Sequence, residues 1–170
     1  MILSNNQIEA TFGFISYSEL PDGKIVWNDG VEKHIIPITW HGIAMKCHSK
    51  LAPVFHIIFD LIDAHDYARF IDFKNLQTAG GIYNRRLIRG SKKISRHSWG
   101  IAIDINVAYN QFLVKPPSTF DVKNMRVFTK DHPIVSLFQR YDFEWGGNWK
   151  NHPDGMHFEF ANNIMELKKT

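Results

Sequence analysis

The sequence of 170 residues contains a single cysteine, Cys47. One cysteine cannot form a disulfide within the chain, and it excludes a zinc site built from several thiolates. Any metal site must therefore use histidine and carboxylate ligands. We expect Cys47 itself to be a small buried apolar residue.

Long apolar runs, internal repeats and linkers are also missing. The longest apolar stretch, residues 52–62, is interrupted by His56 and Asp60, so no membrane-spanning segment is expected. The first six residues lack the basic and apolar regions of a secretory signal, which predicts synthesis in the cytoplasm. We expect one domain over residues 1–170, acting as a monomer without a membrane partner.

The composition is that of a folded domain, with 44% hydrophobic and 22% charged residues. These proportions exclude a disordered, collagen-like or coiled-coil chain. The formal net charge is only +3. The cations form one local run: Arg85, Arg86, Arg89, Lys92, Lys93 and Arg96. Such a run by itself predicts a solvated loop, and no phosphate-binding loop accompanies it, so we expect no nucleic-acid partner.

Two segments have the apolar spacing of amphipathic helices. In residues 50–67 the apolar side chains recur three and four positions apart, and Ser49 is the expected N-cap. A shorter stripe predicts a second helix over residues 133–141, where Pro133 suits the first turn.

Strands are predicted in both halves of the chain. Residues 24–27 and 34–38 read as two strands separated by the turn residues 28–30. Residues 101–106 and 157–160 alternate apolar with polar side chains, as strands with one buried face do.

Ionisable side chains lie on the polar faces of the latter two strands. Asp104 faces away from three isoleucines of its strand, and His157 shares a face with Glu159. We expect these faces to line a cleft over an antiparallel sheet. Residues 107–124 contain prolines and little periodicity, and they predict a long surface loop that borders the cleft.

Most of the nine histidines are expected to have no functional role. His34, His56 and His65 are interpreted as packing or surface residues, and His41, His48, His132 and His152 remain ambiguous.

Three other residues form a candidate metal site. His97 precedes Asp104 by seven residues, and a turn at Gly100 can bring the imidazole back toward that carboxylate. His157 supplies a third donor. A hydrolytic zinc ion requires three nitrogen or oxygen ligands and one open position, which this set provides.

Two carboxylates accompany His157. Asp154 precedes it by three residues and is the candidate general base, which takes a proton from the attacking water and passes it to the leaving amine. Glu159 is expected to fix the tautomer of the His157 ring. Spacing alone leaves open whether these residues bind a metal.

Residues 95–106 and 154–159 resemble two zinc motifs, SxHxxGxAxD and (E/D)xxHFE. These motifs characterise the peptidoglycan peptidases that include D-alanyl-D-alanine carboxypeptidases and L-alanyl-D-glutamate endopeptidases. Residues 143–149 are typical of the endopeptidase branch, which includes many phage endolysins. The resemblance extends upstream through residues 80–90.

The resemblance implies a bound Zn²⁺ held by His97, Asp104 and His157, with Asp154 as the catalytic carboxylate. Ser95, which begins the first motif, is expected to support the ligands without binding the ion. The implied fold is α+β, a small antiparallel sheet with helices packed on one side and the zinc cleft on the other.

The family also has an arginine ahead of the first motif, which polarises the scissile carbonyl and stabilises the oxyanion. Arg86 is assigned this role, with Arg85 and Arg89 as alternatives. The neighbouring cations then suit the free carboxylates of the peptidoglycan stem peptide.

The expected function is hydrolysis of that stem peptide at the L-alanyl-D-glutamate bond by a phage or prophage endolysin, which reaches the cell wall after release. Two alternatives remain: a D-alanyl-D-alanine carboxypeptidase with the same site, and a non-catalytic zinc-binding domain like that of hedgehog proteins. Trp99, Trp145 and Trp149 are interpreted as packing residues, with lining of the cleft as the alternative.

Overall fold

The computed structural model describes residues 3–76 and 81–162. Gly80, the first residue of the upstream resemblance, lies outside the described residues, as do both ends of the predicted domain. The described residues contain both helices and antiparallel strands, which confirms the α+β class. The helices are α1 (Asn5–Phe12), α2 (Ala52–Ala64), α3 (Phe73–Leu76) and α4 (Pro133–Arg140). The strands are β1 (Ile15–Glu19), β2 (Ile25–Asp29), β3 (Ile35–Trp40), β4 (Ile43–His48), β5 (Ala102–Asp104), β6 (Phe143–Trp145) and β7 (His157–Phe160).

The strands divide into small antiparallel sheets. Within the described ranges, β1 pairs with β2, β3 pairs with β4, and a third sheet has the order β5-β7-β6. The third sheet carries the candidate site, because its register places Asp104 of β5 opposite His157 of β7. This sheet corresponds to the small antiparallel sheet that we expected, and two two-stranded sheets accompany it among the described residues.

Helices cover one face of the β5-β7-β6 sheet. The ring of Phe138 in α4 stacks on Phe158 of β7 with centroids 4.5 Å apart, and Phe55 of α2 contacts Phe143 of β6 at 5.3 Å. Because side chains alternate along a strand, His157 and Glu159 lie on the opposite face from Phe158. Helices on one side and ionisable residues on the other match the predicted arrangement.

The two long predicted helices are present with shifted boundaries. The predicted Ser49 cap is wrong, because α2 begins at Ala52 with Leu51 as an N-cap that makes no side-chain bond. Ser49 instead belongs to the preceding turn, where its amide donates to the carbonyl of His34 at 2.8 Å. In α4, His132 is the N-cap, and its ring accepts a bond from the amide of Ile134 at 3.1 Å.

The N-terminal strands follow the prediction except at the turn. The predicted strands 24–27 and 34–38 correspond to β2 and β3. The turn, expected over residues 28–30, begins later, because Asn28 and Asp29 pair with β1 and extend β2.

The predicted loop 107–124 is largely exposed, and Phe112 forms an isolated bridge with Asp154 that places the loop beside the cleft. Its structured part is a short 3-10 helix, Val122–Asn124. Cys47 is completely buried, and burial raises the pKa of its thiol to about 12. Among the residues described, every helix is too short or too polar to span a bilayer.

Candidate metal centre

Three side chains converge at the β5–β7 pair. Nδ1 of His157 lies 2.9 Å from Oδ1 of Asp104, and Nε2 of His97 lies 3.2 Å from each of these two atoms. All three residues are buried. The structure therefore brings the three sequence-predicted ligands together as one compact set of donor atoms.

His97 is fixed by its local backbone. It lies in the 3-10 helix Arg96–Trp99, which ends at Gly100 in the left-handed conformation with φ +67°. Nδ1 of His97 donates to the carbonyl of Ile82 at 2.8 Å. Because a carbonyl can only accept, Nδ1 carries the proton and Nε2 is directed toward the other ligands.

His157 lies between two carboxylates. Its Nδ1 faces Asp104, while Nε2 lies 3.0 Å from Oε2 of Glu159. Burial alone would lower the pKa of His157, but the bonds and charges of Asp104 and Glu159 outweigh it and raise the pKa to about 10. Burial would raise the pKa of Asp104, yet the two histidines hold it well below its usual range.

This donor set fits a tetrahedral zinc ion. Ligand atoms about 2.0 Å from a tetrahedral centre lie about 3.3 Å from one another. The observed separations of 2.9 and 3.2 Å are close to this spacing. Two imidazole nitrogens and one carboxylate oxygen also match the ligand types of hydrolytic zinc. His97, Asp104 and His157 can therefore hold a metal ion.

Asp154 is held beside this group by main-chain contacts. Its amide donates to the carbonyl of Gly146 at 2.9 Å, and its carbonyl accepts from the amide of His157 at 3.2 Å. Burial raises the pKa of Asp154 to about 6, with the charge of Asp104 adding to the shift and His157 opposing it. Within residues 3–76 and 81–162, its Oδ1 is buried without a hydrogen-bond partner. Such a carboxylate is suited to accept a proton.

The structure separates two of the three candidate arginines, Arg85 and Arg86. Nη2 of Arg86 lies 4.0 Å from Oδ2 of Asp104, and its side chain lines the cleft. Arg85 instead bonds Tyr83 at 2.7 Å and Glu32 at 3.2 Å. Arg89 lines the cleft as well. The geometry therefore favours Arg86 over Arg85 as the arginine closest to the ligands.

Both serines of the first motif hold the main chain of Arg86. The Ser98 hydroxyl accepts from the Arg86 amide and donates to the Arg86 carbonyl, each at 3.0 Å. The Ser95 amide donates to the same carbonyl at 3.1 Å. Ser95 is buried and lines the cleft, where we expected it to support the ligands.

A cleft of about 540 Å³ borders the site at His157. Its lining includes Asp154, His157 and Glu159 together with several cations of the basic run. The cations that line it are Arg86, Arg89, Lys93 and Arg96. Four of the six cations of the run therefore belong to the wall of this cleft, beside the site, as the resemblance implies.

The tryptophans have different environments. Trp99 and Trp145 are each 1% exposed and donate to main-chain carbonyls at 2.8 Å, which confirms the packing interpretation. Trp149 lines the cleft, with its ring centroid 5.4 Å from that of His157. Its Nε1 donates to Glu144 at 2.8 Å. Trp149 is therefore a lining residue of the cleft, which is the alternative to the packing interpretation.

The ambiguous histidines include two structural ones. His48 is buried, and its Nε2 donates to the carbonyl of Phe12 at 3.1 Å. His132 caps α4 and donates to the carbonyl of Met125 at 3.0 Å. Burial lowers the pKa of both rings. His41 and His152 are exposed, and the latter lines the cleft.

Sequence reasoning missed two residues close to the site. Arg96 was grouped with the basic run, yet its Nε lies 3.6 Å from Oε1 of Glu159. Glu144 was counted only within residues 143–149, although it bonds Trp149 and pairs with Glu159 across β6 and β7. The alternation of side chains along a strand could have indicated Glu144. No sequence pattern indicates the contacts of Arg96.

Residues 89–160 match the model of a protein family described as D-alanyl-D-alanine carboxypeptidase. The match covers less than half of the chain, and it includes the three candidate ligands, Asp154 and Glu159. Comparison with the curated proteins and with the solved structures gives no match. The family match supports a zinc-dependent peptidase of peptidoglycan in general.

Proposed function

We propose that this protein is a zinc-dependent peptidase that cleaves the stem peptide of bacterial peptidoglycan at the L-alanyl-D-glutamate bond. In this proposal it acts as a phage or prophage endolysin in cell-wall lysis. It is made in the cytoplasm and reaches the wall after release.

One observation carries the proposal. The donor atoms of His97, Asp104 and His157 lie 2.9 to 3.2 Å apart, close to the spacing of ligands around a tetrahedral ion, and the half-buried Asp154 lines the cleft together with His157. A site that only held a metal would not need a carboxylate whose pKa burial raises to about 6. A partly desolvated carboxylate beside three ligands is the arrangement that a metallopeptidase requires.

When bound, zinc supplies Lewis acidity, which lowers the pKa of water and polarises a carbonyl group. Asp154 accepts a proton from the attacking water as the water oxygen bonds to the amide carbon. Arg86 stabilises the negative charge that develops on the carbonyl oxygen. Asp154 then gives its proton to the leaving nitrogen as the carbon–nitrogen bond breaks, which returns the carboxylate to its starting state.

The walls of the cleft suit an acidic peptide. Arg86, Arg89 and Lys93 are among the residues that line it. The stem peptide carries free carboxylates, which guanidinium and ammonium groups bind by charge-assisted hydrogen bonds. Residues 143–149, which resemble the endopeptidase branch, support the choice of an internal bond.

A second candidate is a D-alanyl-D-alanine carboxypeptidase. The description of the matched family favours it. It would use the same ligands and the same base, so only the bond that is cut differs.

The experiment is mass spectrometry of the soluble products released from purified Gram-negative sacculi. The digest is run with wild-type protein, with wild-type protein plus a chelator, and with Asp154→Ala. We expect new amino termini on D-glutamate, abolished by the chelator and by the substitution.

Release of free D-alanine instead would support the carboxypeptidase. Zinc binding without any product from sacculi of several wall chemistries would support a non-catalytic domain. Retained activity in Asp154→Ala would contradict the assigned base.

A further inference from the structure

We propose that Arg96 is a positioning residue of the metal site, through which the N-terminal segment Leu3–Asn5 holds Glu159 against His157. The proposal rests on the zinc site of the proposed function, and it concerns how that site is oriented rather than which bond is cut.

The contacts of Arg96 and Glu159 form one continuous series. The Arg96 guanidinium donates from Nη2 to the carbonyl of Leu3 at 2.9 Å and from Nη1 to Oδ1 of Asn5 at 3.1 Å. Its Nε lies 3.6 Å from Oε1 of Glu159. The other oxygen of Glu159 faces Nε2 of His157 at 3.0 Å. Arg96 therefore connects Leu3–Asn5, more than 90 residues earlier in the sequence, to Glu159, which in turn contacts the candidate ligand His157.

Both ends of this series of contacts are held in place by other parts of the fold. Ser4 and Gln7 form a reciprocal capping box at the start of α1, which fixes the backbone around Asn5. Phe12, at the end of α1, packs edge-on against Phe160 of β7 with centroids 6.1 Å apart. The N-terminal segment and the ligand strand are thus parts of one packed unit, and Arg96 joins them on the cleft side.

Arg96 and Glu159 are both largely buried, so each needs the other as a partner. The side chains of Arg96 and Glu159 are 15% and 11% exposed. A buried carboxylate is costly unless charged or hydrogen-bonding partners compensate it. Arg96 and His157 together compensate Glu159. A correctly placed Glu159 keeps Nε2 of His157 as a donor and directs Nδ1 toward Asp104, as a ligating imidazole requires.

Arginine is suited to this position because its planar fork carries five donors. It reaches a main-chain carbonyl, an amide oxygen and a carboxylate at once. Removing the guanidinium would leave Glu159 with fewer partners and free its side chain to rotate away from His157.

The experiment measures zinc affinity by competition with a chelator of known affinity. The variants are Arg96→Gln, Glu159→Gln and the double variant. Partners that orient a metal-binding histidine typically contribute 10- to 100-fold in metal affinity. We expect about a tenfold weaker zinc affinity in each single variant. Both substitutions interrupt the same series of contacts. The zinc affinity of the double variant should therefore be at most about threefold below that of the single variant that binds zinc more weakly.

A second readout separates positioning from general stability. The visible spectrum of the cobalt-substituted protein at saturating metal reports the geometry of the ligands. We expect Arg96→Gln to change this spectrum even when all sites are filled. Arg69→Gln is the matched control, because Arg69 forms an exposed ion pair with Asp66 on another part of the surface. It should leave both zinc affinity and the spectrum unchanged.

Asn5→Ala keeps the proposal testable if Arg96→Gln does not fold, since it removes one acceptor of Arg96 and leaves the guanidinium in place. We expect about a threefold loss of zinc affinity.

Unchanged zinc affinity and an unchanged cobalt spectrum in Arg96→Gln, or in Asn5→Ala if the former does not fold, would overturn the proposal. Fully multiplicative losses in the double variant would overturn it as well, because Arg96 would then act independently of Glu159. Neither result affects the proposed peptidase. Failure of the wild-type protein to bind zinc would overturn both.

Discussion

The main-chain oxygen of Asp154 lies so close to Gly146 that a Cβ atom at position 146 would be 2.7 Å from it. The same Cβ would also lie 3.1 Å from the Cβ of Asp154. In addition, the Asp154 amide donates to the Gly146 carbonyl at 2.9 Å. The absence of a side chain at position 146 therefore allows the candidate base to take its observed position.

Gly146→Ala should impair hydrolysis without removing the metal. The added methyl group must displace the main chain of Asp154, and a misplacement of about 1 Å can cost about 100-fold in rate. We expect a loss of that order in kcat with zinc content unchanged. Gly30→Ala is the control, because a Cβ at position 30 meets no atom within 4 Å. Full activity in Gly146→Ala would show that the position of Asp154 does not limit the reaction.

The pH dependence of hydrolysis should show an acidic limb from Asp154. A general base must be ionised, and burial raises the pKa of Asp154 to about 6 in the metal-free protein. A bound cation favours the ionised form, so the limb should lie at or below pH 6. Activity falls as pH drops through this value because the base becomes protonated. The measurement is kcat/KM against pH, and an acidic limb above pH 7 would contradict the assignment.

Zinc binding should release about one proton at pH 7. The pKa of His157 is raised to about 10, so its imidazole is protonated in the metal-free protein at this pH. A ligating imidazole must be neutral, and that proton therefore leaves when the metal binds. Calorimetric titrations in buffers of different ionisation enthalpy count the protons released. Equal binding enthalpies in all buffers would contradict this prediction.

Removing zinc should lower the stability of the folded protein. A ligand that binds only the folded state stabilises it by about 2.7 kcal/mol when its free concentration is about 100-fold above the Kd. We expect the Tm to rise with added zinc and to fall with a chelator. His157→Ala lacks one donor and should lose this zinc-dependent rise. A wild-type Tm that does not respond to zinc would argue against the site.

Gly100→Ala should destabilise the protein more than Gly90→Ala. Both glycines have positive φ, +67° and +72°, so both substitutions introduce backbone strain. A Cβ at position 90 meets no atom within 4 Å, whereas one at position 100 would lie 2.7 Å from the His48 amide nitrogen. The difference between the two variants isolates this clash. Urea denaturation should give a difference of at least about 2 kcal/mol in the free energy of unfolding.

Much of the fold follows from local patterns. The apolar stripes predict α2 and α4 because a helix buries residues three and four positions apart. The start of α2 does not follow in the same way. Ser49 is a good N-cap residue, but its amide bonds His34, a contact from a distant part of the chain. The spacing of apolar residues in the helix cannot predict such a contact, because this bond lies one position beyond the Ile35–His48 pair and depends on how β3 and β4 pair.

The candidate site also contains some residues that the sequence predicts and others that it does not. Motif residues such as His97 and His157 are recognisable from residue type and spacing. Arg96 is not, because its contacts with Leu3 and Glu159 join three distant parts of the chain. The sequence also could not separate Arg85 from Arg86, because only contacts distinguish neighbouring arginines.

The central strand of the β5-β7-β6 sheet is the last of its three strands along the chain. A ribosome therefore makes β5 and β6 before the strand that joins them. Until residues 157–160 have left the exit tunnel, Asp104 has no His157 opposite it and the donor set is incomplete. The nascent chain therefore completes this set of donor atoms only after β1 to β6 and all four helices have been made.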